Sequence, residues 1–279
     1  MEAIPSRGSN PMLHRAGFPD SSLPARVADA LVDVRPAYLA PPTLRSTAAA
    51  ARTLRTARWR STGTSFGREF RHPRSQTVAL LTPYSAERSQ DALVASGPGW
   101  YAQFSAWVPD EVLAHVVAAL VEHAENGSAG ADPEGALAAL AEAGWSGAHR
   151  RAGTVEAIAP DSLAELRWGR DDGQPSLRII AGSPHSSPWY AELRGVAVPA
   201  QLAEAVLTAL ASPVPARRWL REVPVDLLQD LDITPAHPRA AAAAATTPTP
   251  SPAARAAVPG APILSSPAPL SSDSARRAR

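Results

Sequence analysis

Three short stretches carry residue types that do chemistry in other proteins. Gly63-Thr64-Ser65-Phe66-Gly67 spells the G-x-S-x-G pattern, in which a serine nucleophile sits on a strained turn from strand to helix. Glu111 and His115 stand four apart on an apolar-periodic run, the spacing that sets two metal ligands on one helix face, with Glu122 and His123 further along it. Ser183, Ser186 and Ser187 surround His185, the residue types of a hydrolase base and nucleophile. Each needs a context that the sequence does not supply. Ser65 runs into Arg68-Glu69-Phe70-Arg71-His72-Pro73, with no parallel strand and helix to strain it. There is no H-E-x-x-H, so a solvated helix face accounts for Glu111 and His115. His185 lies in a proline-flanked loop. The expectation is therefore no catalytic residue, no metal and no cofactor.

Composition removes further chemistry. Cysteine is absent, which excludes disulfides, thiol nucleophiles and cysteine-ligated metal. All 27 basic residues are arginine, so neither a P-loop lysine nor a Schiff-base lysine exists. The N-terminal residues have no apolar core of a secretory signal, and no apolar run is long enough to span a bilayer. Net charge is only +1, which points to no membrane surface. A cytoplasmic protein is expected.

Charge is nevertheless uneven along the chain. Arg45, Arg52, Arg55, Arg58, Arg60, Arg68, Arg71 and Arg74 face a single acid, Glu69, whereas residues 86–142 hold nine acids against Arg88. Either the two stretches neutralise one another, or Arg45, Arg52, Arg55, Arg58 and Arg60 form a phosphate-contacting surface with Trp59 beside them. Of the tryptophans, Trp107 and Trp168 are the candidates for an exposed contact.

Positioning these residues falls to a pattern written twice. Trp59 corresponds to Trp145, Pro73 to Pro160, Trp100-Tyr101-Ala102 to Trp189-Tyr190-Ala191, and Val108-Pro109 to Val198-Pro199. After the last proline, Val112, Val116, Val117 and Leu120 match Leu202, Val206, Leu207 and Leu210, one apolar face of a helix in each case. Each unit reads as a short leading helix (about 47–58 and 133–143), antiparallel strands, and a longer closing helix with proline at its first position. Ser46 and Asp132 are the expected caps of the leading helices. The recurring Trp59, Trp145, Trp100 and Trp189 are expected in a sheet-to-helix core.

The expected fold is α+β in two tandem repeats, residues 34–125 and 131–213. A flexible segment (1–33) precedes them. A short helical cap (214–235) and a disordered proline- and alanine-rich tail (236–279) follow.

The ordered set Val34-Arg35-Pro36-Ala37-Tyr38, Leu140-Ala141-Glu142-Ala143-Gly144-Trp145, Ala159-Pro160-Asp161, Trp189-Tyr190-Ala191 and the helix after Pro199 resembles the actinobacterial SPDY domain, a family of unknown function that commonly occurs in two copies. Asp161 matches the acid of that family's Ser-Pro-Asp turn; the first copy has His72-Pro73-Arg74 and lacks it. The resemblance implies fold and lineage, and brings no activity. The reading is a non-enzymatic interaction or regulatory protein with a protein partner. The alternatives are a nucleic-acid-binding protein using residues 45–74 and, third, a serine hydrolase on Ser65.

Overall fold

The computed structural model describes residues 29–43, 45–83, 91–127, 130–148, 153–184 and 187–236. The expected tail beyond Ala236, most of the N-terminal segment, and His185 with Ser186 lie outside the described residues. The described residues form one compact unit.

Period-two strands build the larger of two antiparallel sheets. Strands β2 (Arg60–Gly63), β3 (Arg68–Arg71), β4 (Val78–Leu81), β5 (Asp91–Gly97) and β6 (Trp100–Ser105) make a meander, as do β7 (Val155–Ile158), β8 (Ala164–Asp171), β9 (Gln174–Ala181) and β10 (Trp189–Arg194). The meanders join through their last strands, giving the order β2-β3-β4-β5-β6-β10-β9-β8-β7. At the junction Ala102 faces Leu193, Gln103 faces Glu192 and Phe104 faces Ala191. Asp172 and Gly173, with φ of 49° and 78°, turn the β8–β9 hairpin, where a left-handed pair matches strand twist.

One face of this sheet is roofed by helices. Trp100, Ala102 and Phe104 of β6 and Trp189, Ala191 and Leu193 of β10 are buried, while Tyr101, Gln103, Tyr190 and Glu192 alternate with them on the other face. The roof is α1 (Ser46–Thr56), α2 (Asp110–Asn126), α3 (Pro133–Glu142) and α4 (Ala200–Ala211), in contact in the order α1-α2-α4-α3. Val112, Leu113, Val116, Val117 and Leu120 of α2 share one core with Leu202, Val206, Leu207 and Leu210 of α4. Each such side chain contributes roughly 1.5–3 kcal/mol by leaving water.

Local chemistry fixes the helix ends. Asp110 and Glu111 complement the α2 dipole. Asp132 caps α3, accepting from the Gly135 amide at 2.9 Å, with Pro133 as its first residue. Ser46 does not cap α1: Arg45 holds that position, and the Ser46 hydroxyl donates to the Thr43 carbonyl. Pro109 and Pro199 are likewise cap residues rather than first helical residues. Their extended ψ places them outside the helix, while their carbonyls accept its first bonds. Both α1 and α3 close with the amide of the following tryptophan, Trp59 or Trp145, donating back to Leu54 or Leu140.

Two expected boundaries move. Leu31–Asp33 are not part of a flexible segment; they begin β1 (Leu31–Arg35). Residues 214–235 form no helical cap on the second half. They supply β11 (Ala216–Trp219), two short 3₁₀ turns and β12 (Asp232–Pro235), and β1 pairs between β11 and β12. A strand with Val32 and Val34 on one side needs a partner on each edge, and only distant chain provides it.

The small sheet is held to α2 by Arg218. Its side chain is 2 % exposed. Nη1 and Nη2 donate to the two carboxylate oxygens of Glu111 at 2.8 and 2.7 Å, and Nε donates to the Pro41 carbonyl at 2.7 Å. A buried guanidinium tolerates desolvation only with such a complete set of acceptors. Glu111, by contrast, keeps 32 % of its side chain in water. Glu111→Ala, which strands the buried cation, is expected to cost about 3 kcal/mol. Arg218→Met, which leaves a carboxylate that can hydrate, is expected to cost less. Urea unfolding of the two variants checks the order.

Candidate functional site on the open face of the sheet

The sheet face away from the helices carries exposed apolar side chains on adjacent strands. Pairing register sets Ile158 beside Glu165, Glu165 beside Ile180, and Ile180 beside Tyr190. Ile158, Ile180 and Tyr190 are 50 %, 49 % and 42 % exposed, a row of apolar side chains broken by the exposed Glu165, where a solvated strand face is normally polar throughout.

At the junction of the two meanders the row meets a polar network. The Tyr190 hydroxyl donates to Asp91 Oδ1 at 2.7 Å, and Gln103 Nε2 donates to Asp91 Oδ2 at 2.7 Å. The Tyr101 hydroxyl donates to Gln103 Oε1 at 2.8 Å, and the Arg194 guanidinium lies 5.6 Å from the Tyr101 ring centre. Partial burial, then the Asp91 carboxylate, pushes the Tyr190 phenol up to about 12. The same two causes raise Tyr101, opposed by Arg194. Ion pairs flank the network: Arg178 with Glu192 and Asp171 at 3.1 and 2.6 Å, and Arg167 with Glu156 at 3.6 Å. No serine or cysteine stands in this network; its groups orient one another and display a fixed pattern of shape and charge.

The residues singled out in the sequence are scattered by the fold. Arg45, Arg52, Arg55, Arg58 and Arg60 are all exposed, on α1, the turn after it and β2, and Arg68, Arg71 and Arg74 are exposed nearby. Among the described residues only Arg71 of these eight has an ion pair, to Glu69, and none pairs with the acidic stretch. Asp110 instead accepts from the Thr43 amide and hydroxyl, and its carboxyl is raised by burial against those bonds. Trp59 does not join the arginines: it is buried, its ring 5.4 Å from that of His72. Trp145, Trp100 and Trp189 are buried as well.

Trp107 and Trp168 are not exposed contacts. Both are half-buried and packed on the core, because Trp168 falls in phase with Ala164 and Leu166 on the helix side of β8. Trp107 lines a cleft of about 580 Å³ with Leu39, Pro41, Pro188, Trp189 and Leu227. The exposed tryptophan is Trp219, at 41 %. Asp161 has a structural task. Its Oδ2 accepts from the Tyr38 hydroxyl at 2.7 Å and its Oδ1 from the Leu163 amide at 2.9 Å, while Trp189 Nε1 donates to the Tyr38 carbonyl. Burial and Asp161 together push the Tyr38 phenol strongly up.

Ser65 lies exposed between antiparallel β2 and β3, without the strand-to-helix turn its pattern requires. The Glu111 carboxylate is taken by Arg218, and His115 Nδ1 lies 2.8 Å from the Glu111 carbonyl. Among the described residues no group of three or more His, Asp or Glu could hold a metal ion, and no helix is long and apolar enough to cross a membrane.

Sequence reasoning passed over Ile158, Ile180 and Asp91. The first two carried a signal: each is an apolar residue on the outward phase of its strand, Ile180 beside the inward Ile179. Asp91 carried none, since its partners are 12 and 99 residues away. Comparison with protein-family models, with curated proteins and with solved structures finds no match.

Two outcomes follow from the geometry. A tyrosine titrates at 10.0 when unperturbed, so the raised Tyr190 value stabilises the fold fully below pH 10 and loses that contribution as pH climbs from about 10 to about 12. Tyr190→Phe is expected to flatten this alkaline loss, as read from urea midpoints across that range. Arg58 holds φ at 62° where the end of α3 has Gly144 at 90°. Arg58→Gly relieves the left-handed strain and is expected to stabilise by about 1 kcal/mol, raising Tm by about 3 °C in a melting scan.

Proposed function

We propose that this protein is a non-enzymatic interaction module that docks a protein partner on the open face of its nine-stranded sheet. The observation that carries the reading is the asymmetry of that sheet. One face is covered by four helices, and the other leaves Ile158, Ile180 and Tyr190 in water beside an ordered polar network. Exposed apolar side chains interleaved with Glu165 and bordered by ordered ion pairs have the mixed composition of a protein-docking surface. The absence of cysteine suits a reducing cytoplasm.

The platform is proposed to be a duplicated unit, akin to two copies of the SPDY domain. The recurring landmarks support this, and so does the junction register. Gln103 faces Glu192, its own counterpart at the spacing that relates Trp100 to Trp189, so the pairing runs about a local two-fold. The pairing of Arg60 with Arg71 is matched by that of Ser146 with Ile158, and the Trp59–Leu54 bond by Trp145–Leu140. Asp161 gains a physical reason in its bond to Tyr38, whereas its counterpart Arg74 is exposed.

Nucleic acid on Arg45, Arg52, Arg55, Arg58 and Arg60 is the second reading, favoured by their common exposure. It predicts binding that falls steeply with salt. The burial of Trp59 removes the aromatic platform that a single strand would stack on.

Capture from nuclease-treated native lysate tests the main reading. The wild-type chain is expected to retain a protein that the Ile158→Thr, Ile180→Thr double variant loses with little change in Tm, since both positions are half exposed and threonine suits a strand without placing a like charge opposite Glu165. Equal capture by both would overturn it.

A further inference from the structure

Among the described residues the sheet ends on one side in β2, whose four residues are all exposed and which pairs only with β3. The Thr64 amide donates to the Gly67 carbonyl to close the β2–β3 hairpin. Antiparallel partners alternate in which way they bond. Thr62 and Arg60 therefore face β3, opposite Glu69 and Arg71, and Ser61 and Gly63 turn their amides and carbonyls outward. Nothing lies within 4 Å of where a Gly63 side chain would begin. The far edge differs: on β7, Ile158 is closed by reciprocal backbone bonds with Ser146 at 2.9 and 3.0 Å.

Charge decides what this edge accepts. Arg60 lies directly opposite Arg71, an unfavourable like-charge pair that only Glu69 offsets. Arg58 and Arg68 are exposed on either side in sequence. The same arginines repel a second copy of this edge, which would bring Arg60 against Arg60 or its neighbours. Phe66, 63 % exposed at the hairpin tip, offers an apolar contact at the end of the strand. Alternating outward donors and acceptors match a peptide backbone and not a phosphodiester.

We propose that the β2 edge takes up an acidic extended peptide as a tenth strand, its backbone bonding Ser61 and Gly63 and its carboxylates pairing with Arg60 and neighbouring arginines. This site lies at the sheet's β2 end, away from Ile158, Ile180 and Tyr190, and goes beyond the reading given above.

Fluorescence anisotropy on the full chain tests it, with a labelled, end-blocked peptide of alternating Glu and Val as probe. Saturable binding is expected. Loss of roughly tenfold or more is expected when proline replaces every second Val of the peptide, and again in Ser61→Pro, which removes one outward donor and leaves the β3 ladder intact. Arg60→Glu is expected to abolish binding without lowering Tm, since it places an acid opposite Arg71, and Ile180→Thr to leave binding unaltered, so the edge and the Ile158–Ile180–Tyr190 surface fail separately. The proline-interrupted peptide keeps the test valid on the unmodified protein should Ser61→Pro unfold. No saturable binding overturns the proposal. So does indifference to peptide proline, which would mean charge attraction alone. Equal or tighter binding of oligothymidylate overturns it in favour of nucleic acid.

Discussion

The pairing of β6 with β10 is the constraint on which the rest of the described structure depends. Each strand is the last of its meander and would otherwise be a free edge with a row of unpaired backbone groups. Joining them makes one sheet and one core, and it also brings α2 against α4 above the seam. Because side chains alternate with period two, the register fixes two surfaces at once. Phe104 and Leu193 go under the helices, and Gln103 and Glu192 go to the open face. A slip of one residue would exchange those sets, exposing apolar side chains and burying Gln103. The Asp91–Gln103–Tyr190 network sits over this seam and ties β5, β6 and β10 together by side chains as well as backbone.

A second tie reaches from the ends of the described chain into its middle. β1 and the segment after α4 form a small sheet of their own, and Arg218 fastens it to the first turn of α2 and to Pro41. Asp161 plays a similar part through Tyr38, linking the second meander to the short turn after β1. Both are polar contacts between residues more than 100 positions apart. They hold parts that hydrophobic packing alone would leave free to slide, since a bidentate pair and a hydroxyl–carboxylate bond have direction. Their consequence for function is negative but informative: Glu111 and Asp161, acids that look available in the sequence, are committed to structure.

The surfaces left over are of two kinds. The open sheet face combines apolar side chains interleaved with Glu165 and a hydrogen-bonded polar network, while the α1–β2 end is a cluster of exposed arginines around a strand edge that no other described strand pairs. They lie on different strands of the same sheet, so one sheet presents both a partly apolar surface and a basic one. That separation follows from the strand order, which puts β2 and β7 at opposite ends of the sheet with the junction between them.

What the sequence by itself determined is the local structure. Apolar spacing marked α2 and α4, and Asp132 marked the start of α3, because each of these depends on residues within one or two turns. The burial of Trp59, Trp100, Trp145 and Trp189 was legible for the same reason: they recur at element ends where sheet meets helix. Tertiary structure decided the rest. Nothing near Leu31 says that it begins a strand, because its partners Trp219 and Pro235 lie across the whole fold. Trp107 and Trp168 look like surface contacts until the strand phase and the cleft walls absorb them. Which edge pairs, and which face stays open, depends on contacts between distant segments. A stretch of sequence does not encode that choice without the rest of the chain packed around it.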